Sequence, residues 1–351
     1  MGIKHEDVKV SGDVGRASEW NKDHKIDSPV DFDKNEAISF VVENRTDFPA
    51  GPVVGQIIYR TDLDQSYIWN GTGWLNITKK SELVVASDGS GDYTTIEAAI
   101  TYLTNGGKIL VKRGTYTPAE MSANKYLNLV NGLTIEGIGT DTIISFTQAD
   151  NKIYFNANGK HNITVKNLKI QFNADESKAG QIIFDIQSAS FIHVERCTMD
   201  AGAMDFYDNV YKIDNSTADI WIEHNIDNIS TAFGWLGGAT AAVYRFHVNY
   251  NNIKSSNFEP EYWNDSYFMY NRGDINLAFG HTNNCYIIGN YLYLNDLGFA
   301  ASSKYNIISQ NYSSNLYLEA ECNYNNCCNN IIDNNVYDFG TGNTVANNTI
   351  F

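Results

Sequence analysis

From about residue 84 onward, short apolar runs alternate with asparagine-rich turns. One phrase recurs along this part: an apolar strand, one or two asparagines, then another apolar residue, as in Ile222-Glu-His-Asn225-Ile and Ile288-Gly-Asn290-Tyr. A degenerate copy ends in Arg196 instead of asparagine. The residue before the last apolar position falls at 167, 196, 225, 252, 290, 311, 335 and 348. The alternation predicts a long series of similar β-strand units.

The spacing of these marks predicts a coil. Successive steps are 29, 29, 27, 38, 21, 24 and 13 residues. A parallel β-helix coil needs ~20–25 residues, so steps of 21 and 24 are bare coils, steps of 27 and 29 carry longer loops, and 13 is a truncated last turn. Stacked asparagines can share amide hydrogen bonds from coil to coil. We therefore predict a right-handed parallel β-helix, because a sandwich or propeller would need other spacings.

A short helix is predicted at the start of this series. Thr94 followed by Glu97 forms a capping box, and Gly106-Gly107 ends the helix. One face is apolar, with members Ile96, Ala99, Ile100 and Leu103. Such a helix can cover the apolar side chains and unpaired strand edges of the first coil.

The region before the helix has a different pattern. Residues 1–35 are polar and lack steady periodicity. Ile38–Val42 and Gly55–Arg60 read as strands, and Asn70-Gly71 is a hairpin signal between apolar runs. The predicted organisation is a flexible leader (1–35), a small β adaptor (36–80) and the β-helix (81–351).

Composition and charge exclude several functions. The formal charge is −16, from 25 Lys plus Arg against 41 Asp plus Glu, so a nucleic-acid partner is not expected. Neither a secretory signal nor an apolar run of ~18 residues is present, so we expect folding in a cytoplasm and no membrane insertion. The five cysteines are predicted to be buried free thiols rather than a zinc site. No cofactor is predicted, and Ca²⁺ is the one ion that the acidic residues leave as a candidate.

The 38-residue step between Asn252 and Asn290 indicates a loop about fifteen residues longer than a bare coil. Loops on rigid scaffolds often carry function. Aromatic rings offer surfaces to sugars, and two carboxyl groups are what glycoside hydrolysis needs. The candidate catalytic residues are Glu259, Glu261, Asp265 and Asp274. The candidate substrate-binding residues are Trp263, Tyr262, Tyr267 and Arg272, with Trp263 or Tyr262 as a stacking platform.

Two segments resemble known families. Val85–Ile100 resembles the opening of pectate-lyase-like and pectin-esterase-like β-helices. Ser18-Glu-Trp-Asn21 with the following Asp23-His24, and the stretch from Gly55 to Trp74, resemble phage tail and tail-fibre proteins. Together they resemble a phage tailspike. The resemblance implies a homotrimer located in the virion tail, attached to the baseplate or tail through the N-terminal segment, with host surface polysaccharide as its partner.

The resemblance implies a glycoside hydrolase-like depolymerase that binds and degrades this polysaccharide. The alternatives are a non-catalytic receptor-binding or structural β-helix, and a polysaccharide lyase that uses Arg272 or Arg245 as a base. A secondary site is Gly202–Asp208, which resembles a pectin-esterase phrase and offers Asp205 and Asp208. The glutamine and arginine partners of that family are missing, so its oxyanion donors would be lacking.

Overall fold

The computed structural model describes residues 42–62, 65–77, 80–139, 141–147, 150–173, 180–201, 209–214, 217–227, 243–253, 257–258, 262–273, 276–292, 296–300 and 302–351. The chain divides into two compact units, Met1–Lys79 and Lys80–Phe351. The predicted boundary at residue 35 lies outside the described residues.

The first unit contains a four-stranded sheet. Its strands are β1 (Glu43–Arg45), β2 (Ile57–Arg60), β3 (Gln65–Trp69) and β4 (Trp74–Asn76). β1 and β2 are parallel, whereas β2–β3 and β3–β4 are antiparallel. Asn70 closes the β3–β4 turn, because its Oδ1 accepts from the backbone N–H of Thr72 at 2.9 Å and of Gly73 at 2.8 Å. The predicted hairpin is confirmed. Of the predicted strand Ile38–Val42, only Val42 is described, and it is not in a strand.

In its described residues, the second unit contains three sheets, here called A, B and C, whose strands are numbered in chain order. Sheet A has 13 strands: β5 (Glu82–Val85), β6 (Gly107–Val111), β9 (Leu133–Gly137), β12 (His161–Lys166), β15 (Ser190–Glu195), β18 (Ala218–Glu223), β20 (Val243–Asn249), β23 (Trp263–Asn264), β24 (Tyr267–Met269), β27 (Tyr286–Ile288), β30 (Ile307–Ser309), β32 (Asn326–Cys328) and β34 (Thr344–Ala346).

Sheet B has 14 strands: β7 (Gly114–Tyr116), β10 (Thr142–Thr147), β13 (Lys169–Asn173), β16 (Thr198–Ala201), β19 (Ile226–Asp227), β21 (Asn252–Ile253), β22 (Asn257–Phe258), β25 (Arg272–Gly273), β26 (Asn276–Gly280), β28 (Tyr291–Leu292), β29 (Leu297–Ala300), β31 (Tyr312–Leu318), β33 (Ile331–Asp338) and β35 (Thr349–Ile350). Sheet C has four: β8 (Lys125–Asn128), β11 (Ile153–Asn156), β14 (Ile182–Asp185) and β17 (Asn209–Lys212).

Strands that neighbour each other within these sheets are parallel and lie about one coil apart in sequence. β12, β15, β18 and β20 are successive neighbours in sheet A, while β13, β16 and β19 follow in sheet B. The chain therefore winds repeatedly past the same sheets, which is a parallel β-helix. Its hand is right, as in nearly all parallel crossovers. The predicted fold class is confirmed.

From β12 onward, the strands of sheet A other than β23 share a six-residue unit. A residue with left-handed backbone stands at each end of the unit, as Asp219 (φ 57°) and His224 (φ 57°) do in the unit of β18. Between them side chains alternate, because successive residues of a strand point to opposite faces. Ile220 and Ile222 are buried, whereas Trp221 and Glu223 point outward and are half-buried. Each coil thus presents two outward side chains at fixed places on sheet A.

An asparagine ladder runs inside the turn from sheet A to sheet B. Its members are Asn225, Asn251, Asn271, Asn290, Asn311, Asn330 and Asn348. Asn290 shows the pattern: its backbone N–H and its Nδ2 donate to Oδ1 of Asn311, and Nδ2 also donates to the Phe268 carbonyl at 2.9 Å. The predicted coil-to-coil sharing of amide hydrogen bonds is confirmed.

The predicted long loop is wrong. Asn252 pairs with Arg272, and Arg272 pairs with Tyr291, so the 38-residue step holds one complete further coil. Its ladder residue is Asn271, which the sequence pattern missed because the polar Arg272, rather than an apolar residue, follows it. The truncated last turn is also wrong, because Asn330 and not Asn335 bonds Asn348.

Helix α1 (Ile96–Tyr102) begins one residue later than predicted. The cap is Thr95, whose side chain accepts from the Ala98 N–H at 3.3 Å. Glu97 accepts a hydrogen bond from the Ala119 N–H. The buried Ile96, Ala99 and Ile100 join the core beside β5, β6 and β8. With seven residues, α1 is too short to cross a bilayer, and the described residues contain no longer helix.

The cysteines are free thiols. Four of them, Cys197, Cys285, Cys322 and Cys327, are buried, and Cys328 is half-buried. Burial raises the pKa of the Cys197 and Cys285 thiols to about 12, which leaves them protonated and unreactive. The prediction of buried free thiols is confirmed for these four.

Candidate functional site

Five aromatic side chains form a continuous column on the outer side of sheet A. This main stack consists of His193, Trp221, His247, Tyr267 and Tyr286. Successive ring centroids are 4.3, 5.2, 4.8 and 5.0 Å apart, and neighbouring planes are tilted by 15° or less. The rings repeat because each is the strand partner of the next. Neighbouring rings cover each other's faces, so the stack presents ring edges to solvent.

A second, exposed column follows at the turn from sheet A to sheet B. This turn stack consists of His224, Tyr250 and Tyr270, with centroids 5.0 and 5.2 Å apart. It ends at Gly289, over which the Tyr270 ring lies: a Cβ at Gly289 would stand 2.5 Å from two ring carbons. The glycine therefore gives the last ring its place.

Two glutamates lie between the two stacks. Glu195 and Glu223 are outward side chains on β15 and β18 and are direct partners in register. Neighbouring strands lie ~4.8 Å apart, so the two side chains leave the sheet at about that separation. Glu195 is ion-paired with Arg196, and Glu223 accepts from Nδ2 of Asn249 at 2.9 Å. Asn249 is itself buried and accepts from the Met269 N–H at 3.2 Å, so it holds Glu223 in a fixed orientation.

The two histidines of the main stack have a lower pKa than free imidazoles. Burial lowers the pKa of both His193 and His247, and the nearby Glu223 opposes that shift in both. The lowered pKa favours the neutral ring at neutral pH. A neutral imidazole has one donor and one acceptor nitrogen. The stack therefore presents a row of polar ring atoms, to which the indole N–H and phenol hydroxyls also belong.

The other edge of the main stack carries an ion pair. Arg245 binds Asp219 through two nitrogens, with Nη2–Oδ2 at 2.7 Å. The bond lowers the pKa of Asp219 and raises that of Arg245. A guanidinium held in this way stays protonated, which argues against Arg245 as the base of a lyase.

A cavity of about 460 Å³ opens at the turn that follows Glu195, between β15 and β16. Lys169 and Asp200 face each other there, with Nζ–Oδ2 at 2.8 Å. Arg196 donates from Nε to Oδ1 of Asn167 at 2.8 Å, and so connects the cavity to Glu195. The lining residues are Gly137, Gly139, Asn167, Leu168, Lys169, Arg196, Thr198 and Asp200.

Of the candidate site residues taken from the sequence, those that the structure describes lie on the strands and turns of the coils. Asp265 is an exposed turn residue that accepts from Nδ2 of Asn284 at 3.3 Å, and Tyr267 belongs to the main stack. Tyr262 stacks on His281 at 4.5 Å. Arg272 is exposed on sheet B. The remaining candidates lie outside the described residues: Glu259, Glu261, Asp274, Asp205 and Asp208.

The prediction that Trp263 is a stacking platform is wrong. Trp263 is 1% exposed and packs on Phe246 with ring centroids 4.8 Å apart. It starts β23 and points into the core, so it cannot serve as a platform for a sugar. Its neighbour Tyr262, which precedes the strand, is the half-buried ring of the pair.

The sequence contained a signal for the main stack that the asparagine marks did not use. In register, the six-residue units place His193, Trp221, His247, Tyr267 and Tyr286 two residues after a left-handed residue. Glu195 and Glu223 then fall two residues further on. Aligning the units by their alternation, rather than by asparagine, would have placed these side chains in columns.

No three His, Cys, Asp or Glu side chains gather into a metal-binding cluster within the described ranges.

No protein-family model and no curated protein matches the chain. Among solved structures, ORF18 of Geobacillus virus E2 is similar, with 15% identity, 88% of this chain and 72% of that chain covered, and a TM-score of 0.40. A mannuronic acid specific polysaccharide family 6 lyase from human gut microbiota shows 12% identity, 77% and 82% coverage and a TM-score of 0.37. Pectin methylesterase from carrot shows 14% identity, 75% of this chain and 82% of that chain covered, and a TM-score of 0.35. Likenesses this low identify no activity for this chain, whose fold rests on its own strand pairing.

Proposed function

We propose that this protein binds a polysaccharide along the outer side of sheet A and hydrolyses it there. One observation carries the proposal: Glu195 and Glu223 stand in register on neighbouring strands, between two columns of aromatic side chains. Paired carboxyl groups are what most glycoside hydrolases use, and aromatic rings with polar edges suit sugars, which combine C–H surfaces with hydroxyl groups.

Binding rests on the regular spacing of the main stack. Five rings at steps of about 5 Å present imidazole, indole and phenol edges in one line along the helix axis. Sugar hydroxyls both donate and accept, so they can pair with these mixed donors and acceptors. The contact is edge-on, because the ring faces within the stack are already covered.

The carboxyl pair supplies acid and nucleophile. Side chains that leave the sheet ~4.8 Å apart suit the ~5–5.5 Å separation of a retaining hydrolase better than the ~6.5–9.5 Å of an inverting one. Glu195, next to the Arg196 guanidinium, is assigned as the ionised nucleophile that attacks the anomeric carbon. Glu223 gives a proton to the leaving oxygen, then takes one from the water that releases the sugar from Glu195.

The test is to compare Glu223→Gln and Glu195→Gln with the parent in release of reducing ends from host surface polysaccharide. We expect turnover to fall by roughly 10²–10⁴ in either variant, with binding kept. Glu321→Gln is the matched control, because Glu321 is an exposed glutamate of a later coil, bonded to Ser302 at 2.9 Å.

Unchanged turnover in both variants would exclude the pair. A parent that binds a glycan but cleaves none would favour the non-catalytic adhesin, for which one observation speaks: both glutamates already have partners in the fold.

The homotrimer and the attachment to a virion tail stay predictions, which light scattering of the full chain and electron microscopy of virions would check.

A further inference from the structure

The cavity beside Arg196 has no part in the hydrolysis proposed above, yet it opens next to Glu195. Arg196 is bonded to Glu195 on one side and to Asn167, in the cavity wall, on the other. A glycan that runs along the main stack and over the carboxyl pair therefore reaches this cavity at the turn. Its volume of about 460 Å³ lies within the range of small-ligand pockets.

The two cations that line the cavity already have carboxylate partners. Lys169 is paired with Asp200, and Arg196 is paired with Glu195, so the two cations face two carboxylates. The carboxylate of an acidic sugar would have to displace one of these or lie against it. Like charges brought together in this way weaken binding.

The polar groups of the wall suit hydroxyls instead. An amide at Asn167, a hydroxyl at Thr198, an ammonium at Lys169 and a carboxylate at Asp200 give both donors and acceptors. Between them the wall is apolar at Leu168 and has no side chain at Gly137. A Cβ at Gly137 would stand 2.1 Å from the Asn167 carbonyl oxygen, so the close approach of these two coils needs glycine here.

The charge of the whole chain acts in the same direction. A formal charge of −16 sets up a field that repels a polyanion at long range.

We propose that this cavity is a subsite for an uncharged sugar unit and that the substrate is a neutral polysaccharide. The inference rests on the hydrolase proposed above and narrows its substrate. It also bears on the reaction. Elimination by a lyase removes a proton made acidic by the neighbouring uronate carboxyl group, which a neutral sugar lacks. Hydrolysis makes no such demand.

The first experiment is binding of the full chain to an array of neutral and acidic oligosaccharides, at about 20 mM and about 500 mM NaCl. The Debye length falls from roughly 20 Å to roughly 4 Å over that range. We expect the bound probes to be neutral and their affinity to change less than about twofold with salt. Binding of acidic probes with an affinity that falls tenfold or more would overturn the inference and leave the hydrolase standing. Binding of no probe would overturn both.

The second experiment is Asp200→Asn. This change removes a carboxylate oxygen that could accept a hydrogen bond from a sugar hydroxyl. It also leaves the positive charge of Lys169 without its paired carboxylate. We expect affinity for the neutral probes to fall about ten- to a hundredfold, and hexagalacturonate to gain affinity. Glu120→Gln is the matched control, because Glu120 is ion-paired with Lys152 and does not line the cavity. Equal affinities in parent and Asp200→Asn would show that the cavity is no subsite.

Discussion

The β-helix has wide coils towards its N-terminus and narrow coils towards its C-terminus. Glu195 and its strand partner Glu223 are 28 residues apart, whereas Ser309 and its partner Cys328 are 19 apart. Strands of sheet C account for much of the extra length in the wide coils, and the last described strand of that sheet is β17. The two regions share sheets A and B, and so the same backbone frame.

They differ in what they place inside and outside that frame. Inside the turn, asparagines stack from Asn225 onward and through the narrow coils, while the corresponding places in the earlier wide coils hold Leu168 and Cys197. Outside, the main-stack column holds aromatic rings from His193 in a wide coil to Tyr286 in a narrow one, and Ile307 follows Tyr286 in the next narrow coil. The asparagine ladder stabilises the fold along its whole length, whereas the aromatic rings of the main stack occupy only the part of their column from His193 to Tyr286. A side chain that repeats along a β-helix therefore indicates a structural role before it indicates a functional one.

The largest expected effect on stability distinguishes an asparagine of the ladder from an asparagine outside it. Asn290→Ala would remove the two hydrogen bonds that Nδ2 donates, to the Phe268 carbonyl and to Oδ1 of Asn311, and it would remove the Oδ1 that accepts from the Asn271 N–H. Leaving buried backbone groups unpaired costs ~1–3 kcal/mol each, so we expect a loss of about 2–4 kcal/mol in the free energy of unfolding. Urea unfolding followed by circular dichroism measures this. Asn335→Ala, at an exposed place in β33, should change it by less than about 0.5 kcal/mol. Equal losses would mean that the ladder is not special.

The next effect sharpens the outer comparison. Trp221→Ala should weaken glycan binding by about 1–2 kcal/mol, roughly tenfold, because it removes an indole from the middle of the main stack. Ile307→Ala changes the same column in a narrow coil and should leave affinity unchanged. Titration calorimetry with whichever polysaccharide the parent binds gives both values. If the Ile307 variant lost as much as the Trp221 variant, the binding face would extend beyond Tyr286 into the later narrow coils.

Much of the fold could be predicted because a β-helix repeats its interactions. The Asn225, Asn290 and Asn311 marks are ladder members, and the hairpin at Asn70-Gly71 has the expected turn. The errors arose where side chains break the pattern. The coil that contains Asn271 was missed because Arg272, rather than an apolar residue, follows this asparagine. The position after the asparagine points outward, so it is often but not always apolar.

The site was harder, because its residues are neighbours in space only after coils are stacked. Glu195 and Glu223 are far apart in sequence and have nothing local in common with a catalytic motif. The cluster of aromatic and acidic residues after Asn252 looked like a loop site. It contains Trp263, which the alternation of the strand turns into the core. The periodicity of the sequence is enough to predict such a fold. Predicting a surface site also requires the register in which the strands pair.

The smallest expected effect concerns the histidines that flank Trp221. Burial lowers the pKa of His193 and His247 below the usual ~6.5, against the opposing charges of Glu223 in both cases, Glu195 near His193 and Asp219 near His247. In the pH interval below ~6.5 the folded chain therefore binds fewer protons than the unfolded chain. By linkage, the contribution of these rings is complete above ~6.5 and is lost as the pH falls through the lowered pKa.

We expect the urea midpoint of the parent to fall from pH ~7.5 to ~5.5 by less than the shift that Asn290→Ala produces. The double variant His193→Phe with His247→Phe keeps stackable rings at both places but cannot take up protons there. Its midpoint should fall less over the same interval, and the difference between the two curves isolates the histidines from the carboxylates. A parent midpoint that rises on acidification, with a flat curve for the double variant, would mean that Glu195, Glu223 and Asp219 outweigh burial. The rings would then carry positive charge at the binding face, and the row of neutral donors and acceptors proposed for sugar hydroxyls would not exist at that pH.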